Sequence, residues 1–477
     1  LSNSVYLHLK IAPKAILLSL VCSALSACSF QEYIAKPIDP AAFTQKLADK
    51  RTDNNEFHQY LINNGYPSQS LPIQQWKLDD LIHCALFFNP NLDTARAQWR
   101  SSQAAQLTAA ERRLPTISGQ YSDSNNANDE ISPYAYSFSI AIPLETANKR
   151  NIRIESARHL TQAAKLNIAH TAWRLRNDVA NTFNEYQANR QLINLMLKEQ
   201  VYRQDIVTMF HKRIEFGESA NIELIKSKLQ LQTLNTELES RQRNQAVLLA
   251  RLANNLGLSL VQVEQMQIKD TFNTKLLSNP VTTDIQTRAL LNRLDIRMAL
   301  ERYAVAEAKV KLEIAKQYPD ITISPGYTYE FGNKMWKLGL SSLLTFLTKN
   351  KLAIAEATQL REVEAKQFDA LQSNVISEVN IASAKLVQAM QMLENKKILY
   401  QQQQANTSRI DGRLRAGESD RLELTYTKLE EVIAEQHLAL AYFQVAASTS
   451  ELENAIQAPL TDSNITNEKI ENLTTTK

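Results

Sequence analysis

Cys28 is the first residue of this sequence whose surroundings spell out a chemistry. It closes Leu25-Ser26-Ala27-Cys28, behind Lys10, Lys14 and a short apolar run over residues 15–24. A basic start, an apolar run and small residues at the cut describe a secretory signal. The run is too short to cross a bilayer as a helix. The tetrad matches a bacterial lipobox, in which the thiol receives a lipid and the cysteine becomes the new N-terminus. The blander reading is an ordinary signal with a chance cysteine.

The other reactive residues do not converge. Cys22 leaves with the signal, so the three cysteines form no disulfide framework. Cys84 follows His83, but neighbours on a helix point to different sides, which leaves a packed thiol. The seven histidines are scattered without metal-ligand spacing. Nucleophile elbow, phosphate loop and His-Glu-x-x-His helix are all missing. Met390 and Met392 hint at soft-metal transport, but methionine more often fills a seam. The expectation is a protein without catalysis, resident metal or cofactor. A net charge of +3, from 53 basic and 50 acidic residues, gives no footprint for nucleic acid.

Two patterns of elements must carry the function instead. Glycine is rare, at 9 residues, and no proline falls between Pro143 and Pro280 or between Pro325 and Pro459. Such stretches predict very long helices. The spacing predicts helix over residues 92–114, 147–213, 222–256 and 348–414. Val375, Val379, Ala382, Leu386, Ala389 and Leu393 step by four and three, as in a coiled coil. The same register holds Leu175, Val179, Thr182, Tyr186, Asn189 and Ile193. Between the helices the period changes to two. Ile117, Gly119 and Tyr121 alternate with small polar residues, then Tyr134, Tyr136, Phe138, Ile140 and Ile142 do the same. Ile321, Ile323, Tyr327, Tyr329 and Phe331 repeat the pattern, followed by Trp336, Leu338, Leu340, Leu344 and Phe346.

The two patterns form one unit, duplicated. Arg213-Ile214-Glu215-Phe216-Gly217-Glu218-Ser219 faces Arg413-Leu414-Arg415-Ala416-Gly417-Glu418-Ser419 at an offset of 200. Ahead of the strands Pro115 faces Pro319, at 204. The four extra residues are expected in a loop at 122–132, where length varies cheaply. The organisation expected is a signal peptide at 1–27 and a lipid-anchored tether at 28–75. Repeat one covers 76–260, with strands about 115–144 and a hairpin about 147–256. A linker at 261–280 leads to repeat two at 281–458, with strands about 319–346 and a hairpin about 348–456. A polar tail takes 459–477.

Strands of this length, apolar on one face and flanked by tyrosine and tryptophan, fit a transmembrane β-barrel. A soluble sandwich is the competing reading. Four strands cannot close a barrel, and open edges are not tolerated in lipid. Several chains must therefore share the barrel.

The chain resembles the TolC family of outer-membrane efflux ducts. The resemblance rests on Trp76-x-Leu78-x-x-Leu81 with Ala85-Leu86 and Asn89-Pro90, the strand pairs opening at Pro115 and Pro319, the two hairpin breaks and the duplication. It covers roughly residues 29–458. It implies a mainly α chain with a β-barrel part: a homotrimer with a 12-stranded barrel in the outer membrane and an α-helical barrel across the periplasm. By the same analogy Ser29, after the lipidated Cys28, favours sorting to the outer membrane. The hairpin tips at Arg213, Gly217, Arg413 and Gly417 would dock a periplasmic adaptor, which connects to an inner-membrane RND or ABC pump. A plain helix cap accounts for the glycines equally well. Glu423 matches the family's acidic gate residue and Glu223 a partner in the closing contacts. Tyr426 stands where a second gate carboxylate belongs, which puts a double acidic ring in doubt. Arg421 and Arg415 are candidates to pair with Glu223 or Glu423. The function implied is passive export of drugs or metal ions. Type I protein secretion is the alternative on the same fold, and a pore-less periplasmic coiled-coil lipoprotein the alternative of another class.

Overall fold

The computed structural model describes residues 31–124, 132–269, 285–343 and 347–460. The signal, Cys28, Leu344, Phe346, most of the expected linker and nearly all of the tail lie outside the described residues. The chain divides into two units, residues 1–49 and 50–477. In the first, the described residues form one helix, α1 (Pro40–Asp49), opened by a proline that suits a first helical turn.

The second unit begins where a tether was expected, and the structure corrects that expectation. Helix α2 (Asn55–Asn63) is capped by Asn54, whose side chain accepts from the Phe57 amide. Phe57 and Leu61, one turn apart, are fully buried in the largest apolar cluster. Residues 55–63 are therefore part of the folded body. Trp76 then bridges to Ile268, so part of the expected linker is core as well.

Helices α3 (Leu78–Phe88) and α4 (Pro90–Ala109) follow, separated by Asn89, which caps α4 through the Asn91 amide. Helix α4 stops five residues short of the expected end. The residue before Pro115 is disfavoured in helical geometry, and the chain straightens toward the first strand. Strands β1 (Thr116–Asp123) and β2 (Tyr134–Leu144) lead into α5 (Lys149–Glu215), which turns back as α6 (Asn221–Leu256). After the short α7 (Leu260–Glu264) come α8 (Ile285–Asn292) and α9 (Leu294–Ala315), where the plan repeats. Strands β3 (Ile321–Glu330) and β4 (Asn333–Ser342) lead into α10 (Lys351–Arg415) and α11 (Arg421–Ile456). The 67 residues of α5 extend on the order of 100 Å.

The strands form one antiparallel sheet in the order β1-β2-β3-β4. The helices follow the same lateral order. Helix α5 packs on α4 and α6, and also on α9 and α11; α10 packs on α9 and α11. The seam behind this packing is the stepped apolar stripe: Val375, Val379, Ala382, Leu386, Ala389 and Leu393 are all buried in one cluster. In the first copy Leu175, Val179, Thr182 and Asn189 are buried at the matching positions.

The duplication is visible in bonds, not only in sequence. Asn89 donates to the Asn255 carbonyl at 2.8 Å, and Arg293, at the matching place, donates to the Ala455 carbonyl at 2.8 Å. The length difference between the copies is distributed more widely than expected. Residues 124–133 connect β1 to β2, whereas only Phe331 and Gly332 connect β3 to β4. The second copy recovers part of that length before α10. Ala147 and Asn148 take left-handed geometry ahead of α5; Lys349 and Asn350 do so ahead of α10.

Candidate functional site

Two regions stand out because the chain leaves them unfinished: the hairpin tips and the sheet. At each tip a helix ends in the same hydrogen-bond pattern. The Gly217 amide donates to the Ile214 carbonyl and the Glu218 amide to the Arg213 carbonyl. Gly417 and Glu418 do the same with Leu414 and Arg413. This pairing needs a left-handed residue just past the helix, and the glycines supply it with φ of 73° and 78°. Capping thus accounts for the glycine of the recurring Arg-x-x-x-Gly-Glu; these backbone bonds make no demand on the arginine or glutamate side chains. A Cβ at either glycine would meet nothing inside the chain.

The charges around the tips tie the two hairpins together. Arg213 Nη2 donates to Asp420 Oδ2 at 2.7 Å. Asp420 caps α11, its Oδ1 accepting from the Glu423 amide at 2.7 Å. That amide bond, followed by Arg213, holds the Asp420 carboxyl below its usual pKa. In the first copy Ala220 stands at the cap and makes no such bond. Glu423 accepts from the Ser419 hydroxyl at 2.6 Å and lies 3.6 Å from Arg413 Nη1. The expected pairings of Arg415 and Arg421 are not made among the described residues of the chain. Arg415 turns back along its own helix to Asp411, and exposed Arg421 forms no ion pair among the described residues. Arg413 is the partner of Glu423. Glu223 is exposed on α6; its charge, after the larger effect of burial, raises the Tyr426 hydroxyl above its usual pKa. Beneath these charges Ile206, Val207 and Phe210 of α5 pack with Leu224 of α6 and with Leu422 and Leu429 of α11.

Sequence reasoning missed two residues here. Asp420 was readable, since Asp420-x-x-Glu423 is the spacing of a helix start. Glu199 was not. It is buried on α5, accepting from Arg203 at 2.6 Å and from Gln436 of α11 at 2.7 Å. Only the folded chain brings Gln436 there.

The sheet separates its two faces over most of its length. Ile117 pairs with Ile140 and Tyr121 with Tyr136; Tyr136 pairs on with Tyr329 and Phe138 with Tyr327. Tyr327 pairs with Trp336 and Ile323 with Leu340. Cross-strand partners share a face, so these residues make one continuous apolar surface. It is bare: Trp336 is 86% exposed, Leu338 76% and Leu340 75%. The opposite face pairs Ser118 with Ser139, Ser137 with Thr328 and Thr322 with Ser341. Pro325 sits within β3, and the β2–β3 pairing skips Ile140 and Ala141, which lie opposite Pro325 and Ser324. A proline cannot donate to the ladder, so this break is local.

The strands meet the helices at a polar junction. Lys149 donates to the Tyr318 carbonyl at 2.5 Å and to Asp320 at 2.6 Å. Arg113 lies 3.2 Å from Asp320, and Arg153 binds Glu145. The end of α4, the start of α5 and the start of β3 are thereby held together.

Among the described residues no His, Cys, Asp and Glu side chains group closely enough to hold a metal ion. Cys84 is fully buried, which pushes its thiol pKa up. No described helix is long and apolar enough to cross a membrane.

Residues 81–258 match the family model of outer membrane efflux proteins. No curated protein sequence matches the chain. Solved structures do match it. The outer-membrane channel OprN aligns with a TM-score of 0.66 at 16% identity, over 90% of this chain and 99% of that one. VceC from Vibrio cholerae aligns at 0.65 and 15% identity, over 80% of this chain and 97% of that one. The CmeC channel of Campylobacter jejuni aligns at 0.66 and 14% identity, over 94% of this chain and 98% of that one. At these identities the likeness concerns the fold.

Proposed function

We propose that this chain, which belongs to the outer membrane efflux protein family, closes with two further copies into the outer-membrane duct of a tripartite exporter. One observation carries the reading: the chain is open on matching sides in both its layers. Strand β1, which follows α4, is one edge of the sheet; β4, which precedes α10, is the other. In the helical layer α4 and α6 lie at one side and α10 at the other. Exposed Ile222, Ile225 and Leu229 recur along α6, and exposed Leu352, Leu360 and Val363 along α10. A strand edge cannot remain unpaired in lipid, so the same operation that joins β4 to a neighbour's β1 joins their helices.

The number three comes from the family resemblance, and size agrees with it. Two copies give eight strands, and a barrel of that size is filled by its own side chains. Three give twelve, which leaves a lumen lined by the small polar face. The apolar face then meets lipid, as the bare Trp336 and Leu338 require. The long helices carry the duct on into the periplasm, where the tips at Gly217 and Gly417 are the surface offered to an adaptor and its RND or ABC pump. Arg213, Arg413, Glu223, Glu423 and Tyr426 gather at that end, with Arg421, and are the gate residues of this proposal. Cys28 supplies a lipid anchor in the same membrane. Protein secretion would use the same duct. A structural lipoprotein without a pore is disfavoured by the apolar face of the sheet.

Planar-bilayer recording with light scattering on the purified protein tests the proposal. Expected are a threefold mass and discrete channel openings. A monomer giving no conductance would overturn it.

A further inference from the structure

We propose that Lys337 sets an electrostatic filter inside the strand barrel, attracting anions and repelling cations that pass. The inference rests on the three-chain closure above. Trp336 and Leu338 lie on the apolar face, so Lys337 between them lies on the small face. On the four described strands that face is otherwise built of small, polar or neutral residues, with a single other charge, Glu330. Glu330 sits at the Phe331-Gly332 turn, paired with Asn333. Four residues of strand separate Asn333 from Lys337, roughly 13 Å. That exceeds the screening length at 0.1 M salt, about 10 Å, so Glu330 does not cancel the lysine.

The surroundings leave the ammonium free to act. Lys337 pairs with Gly326, which pairs in turn with Ser139. A Cβ at Gly326 would fall 2.9 Å from the Phe138 carbonyl oxygen, so the lysine's neighbour must stay without a side chain. Lys337 forms no ion pair among the described residues and is exposed. The same face of β2, the matching strand of the first copy, carries Ala135, Ser137 and Ser139 and no charge. The second copy thus places a charge where the first keeps small neutral side chains. A lysine near a lipid interface ordinarily reaches for water from the apolar face. Lys334, paired with Tyr329 beside the turn, fits that role; Lys337 does not. In the closed barrel three copies of Lys337 stand at one height around the lumen. The filter favours anionic and neutral cargo over cationic cargo on the outward path.

The test reads the local potential without depending on the state of the periplasmic gate. Ser324 pairs with Gly339, on the same face as Lys337, diagonal to it and six residues along the strand from Glu330. The full chain with Ser324→Cys, reconstituted in liposomes, is treated from outside with anionic sulfonatoethyl and cationic trimethylammonioethyl methanethiosulfonates. Buried Cys84 contributes little, and the chain without Ser324→Cys sets the background. With Lys337 present the anionic reagent should gain over the cationic one by roughly fivefold relative to a free thiol, less at high salt. Lys337→Arg should keep that ratio, Lys337→Gln bring it near one, and Lys337→Glu reverse it. A labelled cysteine whose ratio ignores all three substitutions overturns the filter and leaves the duct standing. A cysteine that neither reagent reaches overturns the closure itself, and the filter with it.

Discussion

Arg213 Nη2 lies 2.7 Å from Asp420 Oδ2, and this contact joins the last turn of the first hairpin's long helix to the first turn of the second hairpin's return helix. Both side chains are substantially exposed, so the pair adds about 0.5 kcal/mol or less to stability. Its consequence is positional. In the proposed duct, Arg213→Ala should leave thermal melting unchanged and raise closed-state conductance. Asp420→Asn should do the same, and a melting loss of many degrees in either variant would show the pair to be structural instead.

The same contact fixes a pH dependence. The Asp420 carboxyl is held below its usual value by the Glu423 amide and by Arg213. A depressed carboxyl contributes above its unfolded pKa, about 4, and loses that contribution as pH falls through its folded value. The latch should therefore hold from neutral pH down to about pH 4 and loosen only in stronger acid. Conductance recorded against pH checks this, with Asp420→Asn expected to lose any acid-induced step that belongs to the latch.

The fold was legible where function follows local periodicity. The period-two stretches form the strands of the sheet, and the four-three stripe at Val375–Leu393 is the buried seam. Both patterns are set by which face is apolar, and a sequence displays its faces. What the sequence hid depends on elements far apart in the chain. Phe57 and Leu61 make one apolar turn in a nine-residue helix, too short a signal to separate from a tether. Their burial follows from Trp76, Phe87 and Phe88, which reach them only in the fold. At the tips, sequence proximity put Arg415 and Arg421 beside Glu423 as candidates, yet helix geometry turns Arg413 toward it. The choice among three arginines is made by rotation about a helix axis after a capped turn.

The glycines at the helix ends divide into two kinds. Gly217→Ala meets open space and only the cost of left-handed geometry, about 1 kcal/mol. Gly257→Ala places a Cβ 2.6 Å from the Phe88 carbonyl oxygen, in the same geometry, and the backbone must shift. That substitution should cost about 3 kcal/mol or more. Melting of the two variants should differ accordingly. If Gly217→Trp also folds and conducts but export fails in cells, the loss lies with a partner at the tip.

Midway along the body, Arg176 of α5 donates to Glu453 of α11 at 3.0 Å, with both side chains buried. The Arg176 guanidinium also lies 4.8 Å from the centre of the Trp173 ring. Removing one member leaves the other charged and buried, which costs about 3–5 kcal/mol. Glu453→Gln should lower the melting temperature strongly and change the Trp173 fluorescence. Replacing both residues with apolar ones, Arg176→Met with Glu453→Leu, should restore much of the loss, because no buried charge is then stranded.

Trp336 provides a direct reading of which face meets lipid. Of the chain's four tryptophans, Trp76 and Trp173 are buried and Trp99 is partly buried on α4. Trp336 alone lies on the apolar face of the sheet. In liposomes whose acyl chains carry bromine, a contact quencher, part of the emission should be lost, and Trp336→Phe should abolish that loss. Trp336→Lys places a charge on the face proposed to meet lipid and should cost about 2–4 kcal/mol near the bilayer centre, less toward the rim. The same substitution at Ser137, on the opposite face, should leave insertion intact, because a lysine there points into water. Equal damage at both positions would mean that the two faces meet the same medium, which a closed barrel forbids.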